Sequence, residues 1–384
     1  MSNAGIRITH LAENLERGGL ERVVVDLVLT QAAQGHAVQL ICLFNEGQLA
    51  KELTSAGIRV TACHKRAGWD WKAIGKIRNL LRSHQSQVLH THNPIPHYYG
   101  VLASMSLSGL GVVNTRHGMG NAPFHFRREL LYRLAMMRTD AVAMVCEPAR
   151  KGFVGHGIVP RGKAHVVPNG IRLNAFMLQS MAYRERLLQE LGLPGDAFVI
   201  GNVARLNPVK DHATLLHSFA QVLTDIPNAV LVIVGGGRLY DELQALAKQL
   251  GVAEKVHFLG DRDDVKELLP GFDLFVLSST TEGYSISLVE ASASGLPIVA
   301  TNVGGNPEIV RPGVNGFLAT PGDADSLAGA VLRLARDSEL RRALGKAGRA
   351  WAEANATLEV MAQRYHALYL GTRQARTPTA CRVV

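Results

Sequence analysis

The sequence predicts an α/β fold made of two doubly wound domains that face each other across a cleft. Two observations predict it: short β-branched runs alternate with amphipathic stretches, and this alternation occurs in two series separated by a polar segment. The 384 residues suffice for two such domains, and 47% of them are hydrophobic, which is enough for two cores. A small disulfide scaffold and a lone binding module are excluded by this size.

Each series supplies the strands of one predicted sheet. The first places buried parallel strands at 6–10, 38–44, 88–91, 112–115 and 141–146. The second places them at 198–203, 230–234, 256–259, 274–277 and 298–301. The stretches between strands, such as 20–34, 71–83, 212–223 and 239–250, have helical spacing. A strand, a helix and a parallel strand form the unit of a doubly wound sheet, so each series predicts one domain.

The boundary between the domains is predicted at the turn Pro168-Asn169-Gly170, which precedes a polar helix at 181–191. We therefore expect an N-terminal domain over 1–171 and a C-terminal domain over 172–370. The remaining segment, 371–384, is expected to be a frayed tail.

The charge of the chain favours an anionic partner. Lys and Arg number 41 against 32 Asp and Glu, which gives a net charge of +9. A nucleotide, a phosphorylated substrate, nucleic acid or an acidic membrane surface would each fit this charge. No basic recognition helix is evident, so we do not expect nucleic acid as the partner.

The cysteines and the N-terminus indicate a reducing cytoplasm. The four cysteines form no Cys-x-x-Cys pair, and the first residues lack the pattern of a signal peptide. The uncharged stretch 91–115 contains Pro94 and Pro96 and is predicted to be a buried α/β segment instead of a membrane span. We expect a cytoplasmic protein, at most peripheral on the inner face of a membrane.

The strongest chemical signal is the segment 281–291, which follows the strand at 274–277 and leads into an apolar helix. Gly283 allows close backbone approach, and the free amides of the helix N-terminus form an anion site suited to a diphosphate. Glu282 and Glu290 could accept hydrogen bonds from sugar hydroxyls. The alternative is that Glu282 favours the helix dipole and Glu290 is a surface helix residue.

Two cations follow the first strand of the second series. Arg205 and Lys210 lie in the βα loop after 198–203, where open α/β sheets bind ligands. Together they would offset the charge of a diphosphate and stabilise a departing phosphate. The alternative is that both are solvated loop residues.

These elements together resemble retaining glycosyltransferase family 4, the group 1 glycosyltransferases, with the GT-B fold of two facing Rossmann-like domains. The resemblance rests on Gly-x-x-Ala-Arg-Leu-x-x-x-Lys-Asp at 201–211, the glycines of 235–237, Phe258-Leu259-Gly260, and Glu282 and Glu290 with seven residues between them. It covers nearly the whole chain and is densest over 167–316.

The resemblance implies a role for each matched residue. Arg205 and Lys210 would bind the donor diphosphate, Glu282 would contact the transferred sugar, and Glu290 would hold the ribose hydroxyls. The backbone of Gly283, Tyr284, Ser285 and Ile286 would cradle sugar and phosphate. The donor would also be approached by the glycines Gly18, Gly19, Gly235 and Gly260, although all four equally fit tight turns.

A histidine of the first domain also matches the family. His117 directly follows the strand at 112–115, where the resemblance places a histidine near the donor sugar. A lone histidine is otherwise a structural hydrogen-bonding group. The family's Pro-Asn-Gly element is matched at 168–170, but Arg172 stands where the family has an acidic residue. The predicted catalytic residues are therefore Glu282, His117, Arg205 and Lys210.

The implied reaction moves a sugar from a nucleotide-diphosphate donor, with UDP or GDP favoured, to a glycan or lipid-linked acceptor. The leaving phosphate would help to deprotonate the acceptor, so no side-chain nucleophile is needed. We expect no metal cofactor, because the acidic runs at 261–264 and 323–325 fit helix caps. The rivals are an NAD(P)-dependent oxidoreductase, which lacks its Gly-x-Gly-x-x-Gly after the first strand, and a non-catalytic nucleotide-sugar binder.

Two basic-aromatic stretches concern the acceptor. They span 64–72, with Trp69 and Trp71, and 124–138, with Arg127, Arg128 and Arg133. Such stretches suit an anionic membrane surface or a phosphate-bearing lipid. The alternative is an ordinary basic surface with the tryptophans in the core.

Overall fold

The computed structural model describes residues 5–16, 18–119, 126–176, 178 and 181–374. The chain forms two compact units, one of Met1–Gly170 together with Leu358–Val384, the other of Ile171–Thr357. The first unit's N-terminal segment ends at Gly170, one residue before the predicted end of the N-terminal domain.

The first unit contains a seven-stranded parallel sheet in the order β3-β2-β1-β4-β5-β6-β7. Its strands are β1 Arg7–Ala12, β2 Ala37–Cys42, β3 Arg59–Ala62, β4 Val88–His92, β5 Gly111–Arg116, β6 Ala141–Met144 and β7 Ala164–Val166. The helices of its N-terminal segment are α1 Gly19–Ala33, α2 Ala50–Ser55, α3 Trp71–Ser83, α4 Pro94–Ser104, α5 Phe126–Ala135 and α6 Glu147–Gly155. The strand order reverses between β1 and β4, so the loops that follow these strands border the ligand position of a doubly wound sheet.

The second unit repeats this topology with six parallel strands in the order β10-β9-β8-β11-β12-β13. The strands are β8 Phe198–Val203, β9 Ala229–Val234, β10 Val256–Phe258, β11 Leu274–Leu277, β12 Ile298–Thr301 and β13 Gly316–Ala319. The helices are α7 Met181–Leu191, α8 His212–Asp225, α9 Tyr240–Gln249, α10 Val265–Leu268, α11 Ile286–Ala293, α12 Asn306–Ile309, α13 Ala324–Ala335 and α14 Ser338–Asn355. The order reverses between β8 and β11, whose following loops carry the predicted donor residues.

The last helix, α15 Leu358–Gln374, belongs to the first unit, and this corrects the predicted domain limits. Met361, Tyr365 and Tyr369 repeat every fourth residue, and each is at most 1% exposed where the helix packs on α1 and β5. Burial of this apolar stripe in the first unit explains the return of the chain. The C-terminal domain therefore ends near Thr357, and the predicted tail begins inside a helix.

Edge strands were missed by the sequence prediction. β3, β7 and β13 are short, and their alternation of buried and exposed residues is incomplete. Among the described residues, none of the helices is both long and apolar enough to cross a membrane.

Candidate active site

The loops after β8 and β11 are joined by hydrogen bonds in the second unit. Ser278 Oγ donates to the Lys210 carbonyl at 2.9 Å, and the Thr280 amide donates to the Val209 carbonyl at 2.9 Å. Asp211, in the left-handed region with φ 47°, caps α8 by accepting from the Thr214 amide at 3.2 Å. The position of Lys210 is therefore fixed from both sides.

Lys210 and Glu282 form an ion pair at this point. The Lys210 Nζ lies 2.5 Å from Glu282 Oε1, and Ser279 Oγ donates to the same oxygen at 2.6 Å. The Glu282 side chain is 9% exposed and that of Lys210 is 21% exposed. The interpretation of Lys210 as a solvated loop cation is thus wrong. A bound anion would share this ammonium with the Glu282 carboxylate.

Arg205 differs from Lys210 in being exposed, and its guanidinium has no ion pair within the described part of the chain. It follows Ala204, whose backbone amide donates to the Val234 carbonyl at 3.0 Å. The guanidinium is therefore available to a ligand at the end of β8.

Gly235 and Gly260 hold the ends of β9 and β10 together. The Gly235 amide donates to the Gly260 carbonyl at 2.8 Å, and φ is +135° and +64° at the two glycines. A Cβ on Gly235 would lie 2.2 Å from the Ala204 carbonyl oxygen. These contacts and dihedral angles explain both glycines as residues of tight turns.

Among the described residues, no side chain caps the N-terminus of α11. The helix begins at Ile286 after Ser285, which makes no side-chain cap, and Tyr284 and Ser285 are 7% and 4% exposed. The first amides of a helix lack intrahelical partners and attract anions. Just before them, the Gly283 carbonyl accepts from the Gly305 amide at 2.9 Å.

Gly304 is a site-supporting residue that the sequence analysis missed. Its φ is +50°, and a Cβ there would lie 1.7 Å from the Glu282 carbonyl oxygen. Only glycine permits this approach, which supports the backbone beneath Glu282. The glycine pair that follows β12 was the available signal.

Glu290 lies one turn into α11. In the described residues its carboxylate has neither a hydrogen bond nor an ion pair, and burial raises the pKa of Glu290 to about 7. Glu290 is half-buried and not a fully exposed surface residue. An unpaired carboxyl in a poorly hydrated position gains when hydroxyl donors bind to it.

In the first unit, α1 begins at Gly19, and Gly18 is extended with φ −175°. A Cβ on Gly19 would meet no protein atom within 4 Å. The protein's own packing therefore does not require glycine at 19, and the space beside it is open.

His117 lies directly after β5. Its Nε2 is 3.3 Å from His92 Nδ1, and its buried Nδ1 has no hydrogen-bond partner among the described residues. Burial lowers the pKa of His117 to about 4, so the imidazole is neutral at pH 7.

The structure places three more histidines beside His117 that the sequence analysis did not identify. His10, His90 and His92 are buried, and one ring nitrogen of each lies within 4.8 Å of the others, a separation that could hold a metal ion. Strand pairing brings them together, because His10 lies opposite both Leu40 and His90 in the sheet. Their positions near the ends of β1 and β4 were the only signal in the sequence.

The acidic runs are engaged within the second unit, but only one of them caps as predicted. Asp323 accepts from the Ser326 amide at 2.9 Å and caps α13. Asp264 makes no side-chain cap and instead pairs with Arg262 at 2.7 Å. Asp261 accepts from the Gly236 amide at 2.7 Å.

The predicted basic-aromatic stretch at 64–72 is exposed, so its tryptophans are not in the core. Trp69 and Trp71 are 52% and 71% exposed, and their rings stack at 6.5 Å. Phe124 and His125 of the second stretch lie outside the described residues. Leu134 of α5 and Met137, two residues after the helix ends, are 55% and 86% exposed, and α4 packs against both α3 and α5.

Comparison with known proteins agrees with this architecture. The family model Glycosyltransferase Family 4 matches residues 17–175, and Glycosyl transferases group 1 matches residues 183–351. The GDP-mannose-dependent alpha-(1-6)-phosphatidylinositol monomannoside mannosyltransferase of Mycolicibacterium smegmatis is 31% identical, over 77% of this chain and 81% of that protein. The UDP-Gal:alpha-D-GlcNAc-diphosphoundecaprenol alpha-1,3-galactosyltransferase of Escherichia coli is 28% identical, over 71% of this chain and 72% of that protein.

Among solved structures, Anabaena Alr3699/HepE in complex with UDP superposes with a TM-score of 0.83 at 24% identity, covering 95% of this chain and 99% of that one. The two doubly wound sheets and these matches define a glycosyltransferase with the GT-B fold. The chain belongs to glycosyltransferase family 4, the group 1 glycosyltransferases.

Proposed function

We propose that this enzyme transfers a sugar, with retention of anomeric configuration, from a nucleoside diphosphate sugar to a glycan or lipid-linked acceptor. The observation that carries the proposal is the arrangement after β8 and β11, where the Lys210–Glu282 pair lies with the uncapped N-terminus of α11 and the exposed Arg205. Two cations and free helix amides form a site for a diphosphate.

The chemistry assigned to the second unit is charge stabilisation of the leaving group. Lys210 and Arg205 stabilise the negative charge that grows on the β-phosphate as the glycosidic bond breaks. The departing phosphate oxygen then accepts the proton of the acceptor hydroxyl, so no side-chain nucleophile takes part. Glu282 contacts the transferred sugar, and Glu290 accepts from the ribose hydroxyls.

The first unit contributes His117 to recognition of the donor sugar. Its imidazole is neutral at pH 7 and has one unpartnered ring nitrogen. Gly19 leaves open space at the start of α1 for close approach of a phosphate. Both assignments rest on the family resemblance together with this local geometry.

The donor base is assigned to uracil or guanine. One relative is named as GDP-mannose-dependent, another as using UDP-Gal, and the structural neighbour holds UDP. A thermal-shift panel of UDP-, GDP- and ADP-sugars with NAD and NADP tests the assignment, because a ligand that binds only the folded state raises the Tm. We expect a UDP- or GDP-sugar to give the largest shift. A larger shift with NAD or NADP would contradict the proposal.

Transfer is expected to continue after exhaustive chelation. Lys210, Arg205 and the α11 amides already offset the charge of the leaving diphosphate, which is the task a divalent ion performs in other transferases. Activity is measured in EDTA and then after addition of magnesium or manganese. Loss of activity in EDTA with recovery on adding a metal would contradict metal-independent transfer.

The acceptor is assigned to a lipid-linked glycan at the inner face of the cytoplasmic membrane. Two features of the first unit support it: the stacked, exposed Trp69 and Trp71 beside Arg66 and Lys72, and the exposed apolar residues of α5. Tryptophans and cations are suited to the headgroup region of an anionic bilayer. The names of both relatives include a lipid portion in the acceptor.

We expect the enzyme to sediment with anionic vesicles, to leave them at high salt, and to ignore neutral vesicles. Each cation at the surface contributes about 1 kcal/mol, so the pair of changes Arg66→Ser and Lys72→Ser should weaken partitioning about thirtyfold. The matched control is Lys51→Ser with Lys151→Ser, which removes the same charge from α2 and α6. Equal loss in both variants would show that net charge, and not this surface, drives binding.

A further inference from the structure

A hydrogen-bond network of Gln31, His10 and His92 runs through the interior of the first unit and ends at His117. His10 Nε2 lies 2.8 Å from Gln31 Oε1, and His10 Nδ1 lies 3.0 Å from His92 Nε2. The other nitrogen of His92, Nδ1, lies 3.3 Å from His117 Nε2. Gln31, His10 and His92 are at most 2% exposed, so bulk water does not compete for these bonds.

The direction of each hydrogen bond in this network determines the direction of the next one. A neutral imidazole has one nitrogen that donates and one that accepts, and His10 and His92 each use both. Burial lowers the pKa of His10 to about 4 and holds that of His92 well below its usual range, so both rings are neutral at pH 7. All the hydrogen bonds of the network therefore point the same way, from one end to the other.

Gln31 sets this direction. Its Nε2 donates to the Tyr369 hydroxyl at 3.1 Å, which leaves Oε1 as the acceptor that faces His10. The Tyr369 hydroxyl, which accepts from Gln31, is free to donate its own proton to His90 Nδ1, 2.7 Å away. Helix α15 thus fixes the orientation of the Gln31 amide.

The protonated nitrogen of each imidazole in the network follows from the orientation of Gln31. His10 donates through Nε2 to Gln31, so its Nδ1 accepts from His92 Nε2. His92 Nδ1 then accepts from His117 Nε2. The Nδ1 of His117 is left with a lone pair, and this buried atom has no partner among the described residues.

We propose that Gln31 is a positioning residue that acts through His10 and His92 to hold His117 in its Nε2–H tautomer, so that His117 Nδ1 accepts a hydrogen bond from a donor-sugar hydroxyl. The identity of that hydroxyl rests on the proposed function, whereas the tautomer does not. A lone pair on His117 Nδ1 selects a hydroxyl and repels a carboxylate, so the network also sets sugar specificity.

Nitrogen NMR of the imidazoles tests the tautomer without any assay of activity. In the ¹⁵N-histidine-labelled enzyme we expect His10, His92 and His117 to be protonated at Nε2 only. Gln31→Leu should give His117 a mixture of tautomers, while Gln31→Glu should keep the Nε2–H form because it retains the acceptor. Gln39→Leu, which removes another buried amide of the same unit, is the control. Protonation of His117 at Nδ1 in the wild type, or one bound metal ion per chain at His10, His90 and His92, would overturn the proposal.

Kinetics tests the consequence for the sugar. Gln31→Leu should lower kcat/KM for the nucleotide sugar about tenfold, as expected for one lost hydrogen bond, while the Kd of the nucleoside diphosphate stays within about twofold. Gln31→Glu should restore kcat/KM, and Gln31→Leu should have no effect in a His117→Ala background, because it acts through His117.

The outcomes separate the two proposals. An equal loss from Gln31→Leu with and without His117 would overturn the positioning role. An unchanged kcat/KM in His117→Ala would refute contact between His117 and the sugar. The nitrogen spectra would still decide the tautomer of His117, and the thermal-shift panel would still decide the proposed function.

Discussion

Lys210→Ala is expected to weaken nucleoside diphosphate binding about tenfold to a hundredfold, as expected when a charge-assisted contact of about 1.5–3 kcal/mol is lost. The change also leaves the Glu282 carboxylate without its cation, because the Ser279 hydroxyl then remains its only described partner. An uncompensated carboxylate repels the diphosphate. Lys210→Ala should therefore cost more affinity than Arg205→Ala, since the Arg205 guanidinium has no described carboxylate partner.

Calorimetry with UDP and GDP measures both effects. The double variant Lys210→Ala with Glu282→Gln should recover part of the affinity that Lys210→Ala alone loses, because it removes the repelling charge. Lys248→Ala, a change of an exposed lysine at the end of α9, is the control and should be neutral. If Arg205→Ala and Lys210→Ala both bind like the wild type, these cations do not hold the diphosphate.

The affinity for the nucleotide sugar is expected to rise as the pH increases through about 7, which is the pKa to which burial raises Glu290. The ionised carboxylate accepts two hydroxyl hydrogen bonds, and protonation weakens this acceptor. At pH 8, Glu290→Gln should bind about tenfold to a hundredfold more weakly than the wild type and show little dependence on pH. A nucleotide sugar is the proper probe, because its phosphates do not titrate near pH 7, unlike those of a free diphosphate.

A 2′-deoxyribose donor provides the matched ligand, since it lacks one of the hydroxyls and should show a smaller rise. A wild-type affinity that stays flat between pH 6 and 8 would contradict the assignment of Glu290 to the ribose.

The same carboxyl group should affect stability with the opposite sign. Because the folded pKa of Glu290 is raised, the stability that comes from holding its proton is present below pH 4.5 and is lost as the pH rises through about 7. Glu290→Gln should therefore raise the Tm at pH 8 and change it little at pH 4.5. A gain in stability together with a loss of affinity is typical of a residue kept for function.

The sequence predicted the two doubly wound sheets because their central strands are continuous β-branched runs. The same regularity placed Arg205, Lys210 and Glu282 at neighbouring strand ends, where the structure finds them. Helix α15 was assigned to the wrong domain, because an apolar stripe such as Met361, Tyr365 and Tyr369 does not indicate which unit will bury it.

Contacts between distant segments were also beyond the sequence. Lys210 and Glu282 were each assigned to the donor, but their mutual ion pair depends on how two loops meet. The hydrogen-bond network from Gln31 to His117 joins residues of α1, β1, β4 and the end of β5. These residues become neighbours only when the strands pair. Asp264 fitted a cap in the sequence, yet Arg262 is close enough to bind it instead.

Donor turnover in the absence of an acceptor tests the central claim most directly. The purified enzyme, at a concentration equal to that of the nucleotide sugar which binds best, is followed by ¹H and ³¹P NMR overnight, with water as the acceptor. We predict equal release of nucleoside diphosphate and free sugar, and the sugar should first appear in the anomeric configuration of the donor. No release of nucleoside diphosphate, or first appearance of the inverted anomer, would contradict retaining transfer from this site.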